Sequence, residues 1–445
     1  MPIYRPISLI PKKLYKTIQP IYIGLIAFLI YASMYGLRKP FTVAEYENLS
    51  VFGFDYKTLL IIAQVIGYAL SKFIGIKFIS EMKRSNRAIS IIVLTGIAEF
   101  ALILFGLVPR PYNFILLFFN GLPLGMIWGL VFAYLEGRKN TEILGVILSI
   151  SFIVSSGFVK STGIFLMNTF HLSDFQMPWI TGIIFFIPLV FAVLLLDRFP
   201  DPTAEDEALR TKRIPMNSIL RKIVFREFAL GLVLLTISYI MLTVFRDLRD
   251  NFAAEIWKSI GITGNSMIFT LTEIPIAIIV FIVMGSMMLI KDNKLAFRIN
   301  HHIILAGFII IGLSTFALNM GFINATAWMV LLGLGTYMGY LPFNCFLFDR
   351  LIAAFGSAAN AGFFIYIADS FGYLGSVGTL IFKNFSNKEL SWLNFLTSIS
   401  FGVALVGILL IFLSLWYFNV KLRIRSEESL SSSNVESNKL EFSNL

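Results

Sequence analysis

Long apolar runs separated by short polar connections recur along the whole chain, each close to the ~20 residues a helix needs to cross a hydrocarbon core about 30 Å thick. The pattern predicts helices over residues 16 to 43, 56 to 79, 87 to 108, 113 to 135, 142 to 168 and 178 to 197. After a break it predicts six more, over 226 to 252, 266 to 290, 296 to 319, 324 to 347, 356 to 383 and 392 to 420. The break is the one long charged segment, with Pro200, Pro202 and Pro215 among acids and bases, and reads as a cytoplasmic linker. The expected organisation is therefore an all-α membrane protein of about 12 transmembrane helices in two pseudo-symmetric halves. They are an N-terminal half (1–197), a linker (198–226), a C-terminal half (227–420) and a tail (421–445). The tail is rich in Ser, Glu and Asn without apolar periodicity, and is expected to be disordered.

Composition supports lipid as the solvent. Hydrophobic residues make up 57% of the 445, only 14% are charged, and the mean hydropathy is +0.81. A soluble domain carries about a quarter charged residues. The net charge of +10 would suit a nucleic-acid partner if it formed one basic face, but the bases lie in clusters between apolar runs. With the N-terminus in the cytoplasm, roughly 24 Lys and Arg fall in inner loops and tails against about five outside, which places both termini in the cytoplasm. The first apolar run follows Lys12, Lys13 and Lys16 and reaches Gly36, so it reads as a retained helix rather than a cleaved signal peptide. Zinc-type spacing, a nucleotide-binding loop and a nucleophile elbow are all missing from the sequence. No enzyme activity, cofactor, metal or ATP-driven pumping is expected.

Charges inside the apolar runs carry the functional information. Arg38, Lys39, Lys72, Glu99, Lys160, Arg246, Asp247, Arg249, Asp250, Glu273 and Asp369 all fall within predicted helices or at their ends. Each costs about 2.5–3.5 kcal/mol at mid-helix facing lipid, so they are expected to face a cavity or one another. Arg38 and Lys39 end the first run, where snorkelling to the headgroups is the competing explanation. Arg246, Asp247, Arg249 and Asp250 stand at spacings that let them neutralise one another along one helix, and Arg246 is the deepest. Arg38 precedes Arg246 by about 208 positions and Lys160 precedes Asp369 by about 209, the offset that also relates Gly121-Leu-Pro-Leu-Gly125 to Gly333-Leu-Gly335. Lys160 and Asp369 are thus candidates for a pair across the halves. Glu99, Glu273 and Asp369 are candidates for charge pairing or for carrying a coupling proton. The glycines and the helix prolines read as packing and kinks.

Two segments narrow the reading. Tyr35-Gly-Leu-Arg38-Lys39-Pro-Phe41 resembles the helix-one signature of the organophosphate:phosphate antiporters of the major facilitator superfamily, which include glycerol-3-phosphate and hexose-phosphate transporters. Tyr68-Ala-Leu-Ser71-Lys72-Phe73-Ile74 is similar to that family's helix-two stretch. The resemblance implies the major facilitator fold, phosphate binding by Arg38 and Arg246, and a role for Lys72. Lys39 is a further candidate contact from its place beside Arg38, and Tyr35, one turn before Lys39, offers a hydroxyl to an anion site. That family's helix-five histidine has no match here, where the region around Val154 is apolar.

The expected function is secondary transport, by alternating access, of a small anionic and phosphorylated organic solute. The expected setting is the bacterial inner membrane, with a monomer in the lipid bilayer and no nucleic acid. Two alternatives stay open. One is a proton-coupled symporter of a carboxylated or sugar-derived solute, and the other is a non-transporting sensor of the same fold.

Overall fold

The computed structural model describes residues 12–443 apart from 48, 81, 137, 139–140, 201–217, 264, 357–360 and 387–389. Its helices form twelve successive spans. The first six are Lys12–Gly36, Tyr56–Ser80, Arg84–Leu107, Phe114–Leu135, Thr141–Phe170 and Met177–Asp197. The second six are Ser218–Asn251, Ile268–Ser286, Asn293–Asn319, Ala325–Cys345 with Leu347–Phe355, Ala361–Ser386 and Trp392–Ser443. Among the described residues, ten spans are long and apolar enough to cross a membrane unaided, and the bent tenth makes eleven. The first, described in full from Pro20, is apolar but shorter.

Most of the linker lies outside the described residues, and helix resumes at Ser218, inside its expected range. The last helix continues through Ser443, across the segment where the sequence predicts disorder. An i,i+4 pair, Arg423 with Glu427, supports its first exposed turns.

Proline and glycine shape the spans that matter for the site. The first span ends at Gly36, seven residues before its expected range closes, because Pro40 opens a separate 3-10 turn, Pro40–Val43. Between them the chain tightens, with the Arg38 and Lys39 N–H groups both donating to the Tyr35 carbonyl. The fourth span breaks at Gly125–Met126, just after Pro123, and the tenth bends by 47° at Phe346, four residues after Pro342. Each proline removes one helical hydrogen bond and crowds the preceding turn, so both halves carry a break in the equivalent span.

Helix packing repeats from one half to the other. In the first half, span one packs on five and six, two on four, and three on four and six. In the second, seven packs on eleven and twelve, eight on ten, and nine on ten and twelve, which is the same scheme displaced by six spans. The halves meet where span two packs on eleven and span five on eight, contacts that a pseudo-twofold axis would exchange. Gly121 is what lets spans two and four touch: a Cβ there would run into the backbone oxygen of Gln64.

It is convenient to call the end of the bundle where the first span begins the near end, and the end where it finishes the far end. At the far end the halves are tied by many polar contacts. Lys57 pairs with Glu255, Lys258 reaches Glu45 at 2.6 Å, and Asn384 bonds the backbone at Gly53 and Asp55. The ties at the near end include Arg350 with Glu142 at 3.1 Å and the Cys345 thiol with the Ser149 hydroxyl at 3.4 Å.

Candidate functional site

The sharp turn after span one sends its two cations in different directions. Arg38 turns to the middle of the bundle, where its guanidinium carbon lies 3.8 Å from the ring centre of Tyr68 on span two. Arg246, on span seven, stacks in the same way on Tyr340 of span ten, at 4.3 Å. Tyr373 of span eleven stands between them, 5.9 Å from Arg38 and 5.8 Å from Arg246. Stacking on a ring face leaves a guanidinium's in-plane N–H groups free to grip an oxyanion from the side. Tyr35, Lys72, Asn344 and Asp369 complete the polar lining, with Trp128 and Phe152 as apolar wall. The cavity volume is about 20 Å³, room for one water. An organic solute therefore enters only when the halves part.

The turn that carries Arg38 is held by amides buried in neighbouring spans. Gln64 of span two donates to the Arg38 carbonyl at 2.9 Å and to the Asn120 side-chain oxygen at 2.7 Å. Asn120 of span four donates to the carbonyls of Leu37 (3.0 Å) and Ala98 (2.9 Å) and is fully buried. The bonds to Leu37 and Arg38 satisfy carbonyls that the broken end of span one leaves without a helical partner. Asn120→Leu is expected to destabilise the protein by about 1–3 kcal/mol by orphaning the Leu37 carbonyl and one N–H of Gln64. Thermal unfolding of the purified variant measures the loss.

Charge accounting singles out one group. Arg246 is bound by the neighbouring Asp247, at 2.8 Å from Nη2, and Asp247 also accepts from Ser376. Lys72 pairs with Asp369 at 3.0 Å, and Tyr239 donates to the other oxygen of that carboxylate. Among the described residues Arg38 makes no ion pair, is 5% exposed, and has a buried Nε without a hydrogen-bond partner.

Toward the far end lies a second charged layer. Lys39 does not line the cavity with Arg38: its ammonium is 2.5 Å from Asp250 and 2.6 Å from the Asn251 side-chain oxygen. Lys160 and Ser156, both on span five, also donate to the Asp250 carboxylate. Glu273 pairs with Arg249 at 2.9 Å, joining spans eight and seven. The expected pair of Lys160 with Asp369 is not formed. Lys160 is nineteen residues into the helix that starts at Thr141, and Asp369 is eight into the one that starts at Ala361, so they sit at different depths. Glu99 belongs to neither layer. It is buried on span three against Gly182 of span six, and neither carboxylate oxygen has a partner among the described residues.

Among the described residues, the central cavity and the layer next to it gather six cations (Arg38, Lys39, Lys72, Lys160, Arg246 and Arg249) around four carboxylates (Asp247, Asp250, Glu273 and Asp369). The excess is positive, and its one unpaired member faces the cavity. Among the described residues no group of His, Cys, Asp and Glu is arranged to hold a metal ion.

Twelve apolar spans in two matching halves, meeting around a charged central cavity, define an all-α membrane protein of the major facilitator fold. The chain belongs to a family of unknown function, DUF5690, whose sequence profile matches residues 40–421. No curated protein matches it by sequence. Solved structures share the fold. A D-xylose-proton symporter superposes with a TM-score of 0.57 at 16% identity, over 90% of this chain and 97% of its own. A bacterial homologue of the human drug peptide transporters PepT1 and PepT2 gives 0.59 at 13% identity, over 92% of this chain and 99% of its own. A peptide-bound POT family transporter gives 0.56 at 14% identity, over 91% and 96%.

Proposed function

We propose that this protein is a secondary transporter that carries a small anionic organic solute by alternating access, with the solute held between Arg38 and Arg246. The observation that carries the reading is the buried Arg38, which among the described residues has no counter-charge of its own and which lines a cavity on the seam between the halves. An unpaired cation in a low-dielectric interior is expensive unless a ligand supplies the opposite charge. A phosphate group fits best, because its oxygens can accept paired N–H donors from both arginines. The resemblance of the segments around Arg38 and Lys72 to organophosphate:phosphate antiporters supports the same choice. On this reading the near end, which carries the basic loops, faces the cytoplasm of a bacterium, and so do both termini.

Purified protein in liposomes tests it, with uptake of phosphorylated and carboxylated metabolites measured as a panel. The wild type should transport at least one anion. Arg38→Ala and Arg246→Ala should each reduce that transport by about tenfold or more, as loss of a charge-assisted hydrogen bond worth about 1.5–3 kcal/mol requires. Equal transport by wild type and both variants would refute the site. Binding without flux in the wild type would instead favour a sensor of the same fold.

A further inference from the structure

We infer, on the basis of the anion reading above, that Asp369 is the group through which solute binding takes up a proton. An anion entering the cavity draws Lys72 away from Asp369, and the released carboxylate then binds a proton from the water on the same side.

Position is the first argument. Of the four seam carboxylates, Asp369 alone both lines the central cavity and pairs across the halves, with Lys72 of span two. Asp250 also pairs across the seam, but in the outer layer, held by two lysines and a serine. Glu273 is in that layer with Arg249. Asp247 pairs within its own half, with the adjacent Arg246, and is not part of the cavity lining.

The surroundings of Asp369 supply the second argument. Lys72 and Tyr68 face it from span two, Tyr239 and Arg246 from span seven, Tyr340 and Asn344 from span ten, and Tyr366 and Tyr373 from its own span. Among the described residues the only cation paired with it is Lys72, since Arg246 is bonded to Asp247. If Lys72 turns to a ligand, Asp369 keeps only the neutral hydroxyl of Tyr239.

Charge balance supplies the third. Before loading, the cavity pairs cancel and Arg38 leaves one positive charge. Within the cavity, apart from the outer layer where Lys39 and Lys160 share Asp250, a dianion with no proton would leave one negative charge in excess, whereas a dianion with one proton leaves none. Uncompensated buried charge is costly, so the second state is favoured. The step only makes an O–H bond at Asp369 as a proton leaves water, and it reverses when the solute is released on the other side.

Calorimetric titration of the purified protein near pH 8, repeated in buffers of different ionisation enthalpy, counts protons per anion bound. The probes are glycerol 3-phosphate, glucose 6-phosphate and malate, all dianions there. About one proton should be taken up with each anion that binds wild type, and Glu99→Gln, outside the cavity, should behave alike. Asp369→Asn should bind with no uptake. Since that change strands Lys72, the double variant Lys72→Met with Asp369→Asn provides a second measurement and should also show none. Binding to wild type without uptake, or uptake that persists in both variants, overturns the inference and leaves anion binding standing. If no probe binds wild type, the anion reading falls and takes this inference with it.

Discussion

Asp250→Ala is expected to cost about 3–5 kcal/mol of stability, the effect of removing one partner from a buried ion pair and leaving the others charged. Asp250 is the common acceptor of Lys39, which follows span one, and of Lys160 and Ser156 on span five. The lysine side chains are each 4% exposed, so neither ammonium is solvated where it stands. Without the carboxylate, two like charges converge on one buried point. Glu273 lines the same small space as Lys160 but is already paired with Arg249. The cost should appear as a lower unfolding temperature in detergent and a lower yield of folded protein.

A compensated variant separates charge from shape. Lys39→Met, Lys160→Met and Asp250→Leu together remove every charged member of the cluster and replace each with an apolar group of similar size. Such replacements of buried ion clusters are often neutral or stabilising, so most of the loss should be recovered. A triple variant no more stable than Asp250→Ala would show that the carboxylate acts through its packing, and that the two lysines are not stranded by its loss.

The fold was legible because lipid imposes a simple rule: each crossing must be an apolar run of fixed length with its backbone bonded internally. Run length marks the spans, and charge density marks the division between halves. Helix ends were less legible where the chain turns by a local device. The first helix stops at Gly36 and not at 43 because Pro40 starts a new turn, and that turn is what separates Arg38 from Lys39. As adjacent residues they suggest one site, yet the backbone between them delivers one to the cavity and the other to the outer layer.

The internal repeat was legible as a pattern but not as a ruler. Arg38 and Arg246 do converge on one cavity, joined by Lys72, Tyr35 and Asp369. The same offset misleads for Lys160 and Asp369, because the fifth and eleventh spans start at residues 141 and 361, 220 positions apart. The difference of about eleven residues is some 16 Å of helix at 1.5 Å per residue. Asp369 of span eleven finds its partner on span two, the helix packed against its own, whereas Lys160 of span five reaches past span eight to the far end of span seven. Gln64 and Asn120 were also there to be read. An uncharged amide inside an apolar run is nearly as informative as a charge, since it is stable there only when fully bonded. Attention to formal charge alone passes over both.

Gly157→Val is expected to open the far end without unfolding either half. Gly157 lies on span five where that span crosses span eight, and a Cβ there would run into the Phe269 backbone oxygen and come within 3.0 Å of the Glu273 side chain. Backbone cannot yield as a flexible side chain can, so the two spans must separate at this level. The bonds next to the contact are those that join the halves: Thr270 to Ser161 at 2.7 Å, and Lys160 to Asp250. Overpacking of this kind costs about 1–3 kcal/mol. At a seam that can part, the cost shifts a conformational equilibrium by about tenfold or more rather than breaking a core. Gly121→Val provides the contrast, since its clash with the Gln64 carbonyl lies inside one half and has no such release, and it should lower the unfolding temperature instead. The readout is labelling of Thr270→Cys by a membrane-impermeant maleimide in a Cys345→Ser background. With Gly157→Val the cysteine should label about tenfold faster, and solute flux should be lost. Unchanged labelling with a lowered unfolding temperature would place Gly157 in a static core, and would mean that the contact of spans five and eight does not part during the cycle.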